Sequence, residues 1–120
     1  TDKAPAAIGP YSQAKVVGNF VFTSGQIAIN PANGEIEAGT IEEQTKQVCE
    51  NIKNLLEASG SDLESVVKTT CFLKNMEDFA AFNGIYAEYF TNKPARSCVA
   101  AKQLPKDVLV EVETIAIVKD

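Results

Sequence analysis

Residues 107–118 read DVLVEVETIAIV, and the way this run divides between two faces decides the architecture. β-Branched residues dominate it, so it forms a strand, and strand side chains alternate. One face carries Val108, Val110, Val112 and Thr114; the other carries Leu109, Glu111, Glu113, Ile115 and Ile117. Neither face is purely polar. The second mixes carboxylates with large aliphatic side chains. Two readings of the glutamates stay open. Either the run is an edge strand whose exposed face carries charges that deter stray strand pairing, or one of them lies at a subunit seam or in a pocket, where its charge needs a partner. Arg96 is the candidate for the opposite charge.

Upstream, the remaining elements are legible. Residues 12–17 and 20–24 are two β-rich runs around Gly18-Asn19, which predicts a hairpin. Residues 26–29 extend the second strand past Gly25. Residues 41–58 predict a helix, with Val48, Ile52, Leu55 and Leu56 on one face, a Thr40/Glu43 capping box and Gly60 at the exit. VVKTTCFL (66–73) predicts a buried strand. Asn75 caps a second helix over 76–90, whose stripe of Phe79, Phe82, Tyr86, Tyr89 and Phe90 reads as packing against a sheet. Strands follow at 96–102 and 108–118. The expectation is a single α+β domain over residues 1–120, with two helices on one face of a sheet. The other face must meet solvent, a ligand or another subunit.

Composition narrows the chemistry. The chain has 120 residues, 11 basic and 16 acidic, for a net charge of −5. This balance, with basic residues scattered, argues against nucleic acid or an anionic membrane as main partner. No apolar run approaches a membrane span. Histidine is absent, and Cys49, Cys71 and Cys98 are widely spaced with no CxxC. The usual Cys/His zinc ligands are therefore missing, as are histidine-based nucleophilic schemes. Unpaired cysteines fit a reducing, cytoplasmic setting. Chemistry here rests on carboxylates, Tyr, Cys, Lys, Arg, backbone groups and water, with no metal and no cofactor.

One strand begins oddly. In KPARSCVAA (93–101), Arg96, Cys98 and Ala100 point one way and Ser97, Val99 and Ala101 the other. A guanidinium thus opens a run of small apolar residues. Together with APAAIGPYSQA (4–14), FTSGQI (22–27) and LPKDVLVEVE (104–113), this segment resembles the RidA/YjgF family of small imine and enamine deaminases, in order and over nearly the whole chain.

The resemblance implies a chorismate-mutase-like α+β fold, assembled as a homotrimer with a central barrel-like core and active sites between subunits. It implies hydrolysis of 2-iminobutanoate and 2-iminopropanoate, with their enamine tautomers such as 2-aminoacrylate, to 2-oxo acids and ammonia. Arg96 matches the arginine that grips the substrate carboxylate, and Glu111 the glutamate that activates water. Tyr11 matches the pocket tyrosine, Gly25 a glycine whose backbone faces the ligand, Cys98 a residue lending main-chain groups, and Asn83 a pocket asparagine. The short TNK connection (91–93) before Pro94 bears on pocket width and substrate preference. A ligand-sensing regulatory trimer, and a translation inhibitor or ribonuclease, are the other classes to weigh.

Overall fold

A computed structural model describes residues 1–119. In chain order the elements are β1 (Ala14–Val17), β2 (Phe20–Thr23), α1 (Ile41–Ala58), β3 (Val66–Leu73), α2 (Phe79–Tyr89), β4 (Ala95–Ala100) and β5 (Val110–Ile117). They form a mixed five-stranded sheet in the order β1-β2-β5-β3-β4. β3 and β4 are parallel, joined by α2 as a crossover, and the other pairs are antiparallel. The final strand inserts between β2 and β3, so the run quoted first is the centre of the sheet and the edge-strand reading of its glutamates is corrected: both of its edges are paired.

Local chemistry explains most boundaries. Gly18, at φ +60°, is the first of two residues joining β1 to β2, where a type II′ turn requires positive φ. Thr40 Oγ1 accepts from the Glu43 amide at 3.1 Å and donates to the Glu43 carboxylate at 2.9 Å, starting α1. Two expectations shift. Residues 26–29 are not a strand: beyond β2 only Gln26 bridges β5, opposite Val112. The second helix begins with a 3₁₀ turn at Met76–Asp78, and Asn75 makes no side-chain cap.

Both helices cover one face. Val21, Cys71, Leu73, Val110, Val112 and Ala116 from the sheet meet Val48, Cys49, Ile52 and Leu56 of α1 and Phe82 and Tyr86 of α2 in one core. Burying such side chains contributes roughly 1.5–3 kcal/mol each. Thr23 and Thr114 share a 3.0 Å hydroxyl hydrogen bond inside it, so polar groups on the core face are partnered. On the opposite face Phe20, Phe22, Val99 and Ile117 are each more than 40% exposed, beside Glu111, Glu113 and Ile115. No helix among the described residues is long and apolar enough to cross a membrane.

Candidate active site

The candidate residues fall into two groups, built on different faces of the sheet. The first gathers around β5. Gln26 and Val112 exchange backbone hydrogen bonds of 2.8 and 3.1 Å, which draws the segment after β2 across the strand. Gly25 then lies directly beneath Glu111. A Cβ at position 25 would stand 2.0 Å from Glu111 Oε2 and 2.7 Å from its Cδ, so the carboxylate occupies space that any other residue would fill. Ser24 and Gln26 are tied to the N-terminal segment. Ser24 Oγ donates to the Ser12 carbonyl at 2.6 Å, and Gln26 Nε2 donates to Gln13 Oε1 at 2.7 Å.

These ties bring Tyr11, Gly25 and Glu111 around a cavity of about 390 Å³, walled also by Ile8, Ile27 and Lys106. Glu111 is half-buried, and its proton affinity is raised above the ordinary carboxylate range, first by burial and second by the charge of Glu113. The ion pairs among the described residues are Lys74–Asp107 and Lys119–Asp62, so Glu111 has no cation of its own. A carboxylate in this setting can take a proton from water and return it.

The second group gathers around the start of β4. Arg96 Nη1 donates to Asn83 Oδ1 at 2.7 Å. The guanidinium carbon lies 4.9 Å from the Tyr86 ring centroid and 5.4 Å from that of Phe79. Residues 79, 83 and 86 follow the i, i+4, i+7 spacing of one helix face, so α2 presents an amide between two rings. Tyr86 is held in turn by a 2.7 Å hydrogen bond with Thr69 of β3. Each cation–π contact contributes about 0.5–2 kcal/mol, depending on desolvation. The cradle fixes the plane of the fork and leaves most of its five N–H donors to an incoming anion.

Cys98 lies two residues along the same face, level with Cys71 of β3. Burial raises its thiol pKa more than Arg96 lowers it, which leaves the thiol protonated at neutral pH. Cys71 is pushed up to about 12 by burial, and Cys49 higher still, as expected for core residues.

Within one chain the two groups do not meet. Arg96 pairs with Thr69, and Thr69 with Thr114, on the helix-covered face; Glu111 pairs with Phe72 on the open face. A pairing of Arg96 with a β5 glutamate is thus not made inside one chain: alternation puts residues 111 and 114 on opposite sides, and Arg96 bonds Asn83. Phe79 and Tyr86 read in sequence as core packing alone, although their helical spacing around Asn83 carried the signal. Lys106, inside the LPKD segment, is a cavity wall that sequence reasoning passed over.

The mixed five-stranded sheet with its two helices is shared with solved structures of one family. The model of the family described as Endoribonuclease L-PSP matches residues 1–118, and the chain belongs to that family, the RidA/YjgF family. It is 58% identical over 117 residues to a RutC family protein of Pyrococcus abyssi, covering 97% of this chain and 92% of that one. It is 47% identical over 121 residues to the 2-iminobutanoate/2-iminopropanoate deaminase of Escherichia coli, covering 98% and 94%. A crystal structure from Thermotoga maritima, described as a candidate endoribonuclease, superposes with a TM-score of 0.96 at 55% identity, covering 100% of this chain and 95% of that one.

Proposed function

We propose that this protein hydrolyses small 2-imino acids to 2-oxo acids and ammonia, in sites completed between copies of the chain in a homotrimer. The observation that carries the reading is Glu111, a half-buried carboxylate in no ion pair among the described residues, seated on Gly25 at the wall of a largely apolar cavity. The likeness to the Escherichia coli deaminase supports it.

In this reading Arg96 of one copy receives the substrate carboxylate through charge-assisted bonds worth roughly 1.5–3 kcal/mol each. Glu111 of another copy takes a proton from water as its oxygen bonds to the imine carbon. The same carboxylate returns that proton to nitrogen, then carries the carbinolamine's hydroxyl proton to nitrogen as the C–N bond breaks, so that ammonia leaves and the carbonyl remains. Base and acid help of this kind accelerates by about 10²–10⁴-fold. The exposed aromatic and aliphatic side chains of the open face supply apolar area for the trimer. The tyrosine at position 11 closes the pocket, Cys98 lines the wall beside Arg96, and both product and substrate are small carboxylates.

The endoribonuclease description favours a second reading, RNA cleavage. A net charge of −5 and the absence of histidine weigh against it. The test generates 2-iminobutanoate with threonine dehydratase and follows 2-oxobutanoate formation. Faster release with this protein, lost in Glu111→Gln, is the expected result. No acceleration by the folded, assembled protein would overturn the proposal.

A further inference from the structure

The arginine cradle opens into a hollow of about 410 Å³ lined by Tyr86, Ala87, Phe90, Lys93, Pro94 and Arg96. Two of these six side chains are cations and none is an acid, in a chain whose net charge is −5. Concentrated positive charge with apolar aromatic walls is a device for gathering anions.

Lys93 is held there by unusual means. Its φ is +54°, the left-handed region, and it immediately precedes a proline. Lysine has no side-chain device that favours this conformation, and a residue before proline is normally driven to extended backbone. The turn is over-determined by its neighbours. Asn92 Nδ2 donates to the carbonyls of Glu64 and Val66 at 2.8 and 2.9 Å, Thr91 Oγ1 donates to the Glu64 carboxylate, and the Lys93 amide donates to the Phe90 carbonyl at 3.2 Å. Strain fixed at a cavity wall points to use of the residue that bears it. Lys93 forms no ion pair among the described residues, since the two present engage Lys74 and Lys119.

We propose that Lys93 is a second cationic contact in the anion site, and that with Arg96 it selects 2-imino acids whose side chain carries a further carboxylate. The inference rests on the reading of Arg96 as the anchor of the α-carboxylate. A monoanion engages that anchor and leaves Lys93 to solvent. A dianion engages both, and one charge-assisted bond corresponds to about tenfold in affinity or more.

The test uses the intact protein and Lys93→Asn, because asparagine tolerates left-handed backbone while the ammonium and its reach into the hollow are lost. Calorimetry at low ionic strength compares 2-oxoglutarate with 2-oxobutanoate, and deamination is compared for imines generated from glutamate and from threonine. The expected result is tighter binding of the dicarboxylate by the wild type and a roughly tenfold fall of the dicarboxylate-to-monocarboxylate ratio in Lys93→Asn. A ratio unaltered by the substitution overturns the inference. Hydrolysis without any dicarboxylate preference overturns it and leaves the deaminase reading standing. Lys93-dependent dicarboxylate binding without turnover supports it while refuting the deaminase reading.

Discussion

Gly25→Ala isolates the contact on which the proposed chemistry depends. The new methyl carbon would lie 2.0 Å from Glu111 Oε2, against an ordinary contact of 3.4–4 Å, so the carboxylate must retreat by more than 1 Å. The backbone at Gly25 is not left-handed, so alanine is not strained there. The atom in the way is the free end of a flexible side chain, and swinging it aside costs of order 1 kcal/mol of stability. Catalysis responds differently. A misplacement of about 1 Å in a reacting group can cost about 10²-fold. The assay measures kcat for 2-iminobutanoate alongside the thermal unfolding midpoint. The expected outcome is a near-normal midpoint with kcat down about 10²-fold. Gly84→Ala serves as control, because a Cβ there meets nothing within 4 Å and alanine favours the α2 backbone by up to about 1 kcal/mol. Wild-type kcat in Gly25→Ala would show that the position of Glu111 does not matter, and the water-activating role would fall.

Four further outcomes follow from the structure. Activity that needs charged Glu111 falls as pH drops through its raised pKa, so the acid limb stands above the ordinary 4.5; Glu113→Gln removes the like charge and moves the limb to lower pH, which a pH–kcat profile reads directly. The same shift links to stability: the raised group's contribution is present below its unfolded value and lost as pH rises through the folded one, so Glu111→Gln should flatten that fall in a series of unfolding midpoints. Arg96→Lys keeps the charge but loses the planar fork bonded to Asn83 and stacked on Phe79 and Tyr86, and kcat/KM should fall at least about tenfold; a near-normal value would count against the anchor. Phe22→Glu puts a charge on the exposed apolar face without touching the core, and sedimentation should show dissociation with loss of turnover; a fully active monomer would refute sites shared between copies.

Much of the fold was open to reading from the chain because its signals are local. The Thr40–Glu43 box, the Gly18-Asn19 turn, the α1 stripe and the alternation of residues 108–117 each act within a few neighbours, and each appears as read. Local pattern failed where a partner strand decides. Residues 26–29 have strand-like composition, yet one bridge to Val112 takes up their pairing and the chain turns away. The resemblance pointed to both Asn83 and Arg96, and the two are joined by a 2.7 Å hydrogen bond.

What the residues alone determined was which side chains share a face. They could not say where β5 would insert, because that depends on long-range pairing between strands distant in sequence. Its place between β2 and β3 seats Glu111 over Gly25 and puts it across the sheet from Arg96. The left-handed Lys93 is likewise a tertiary product, imposed through the bonds of its neighbour Asn92 to Glu64 and Val66, 28 and 26 residues from Asn92, against the preference of its own backbone.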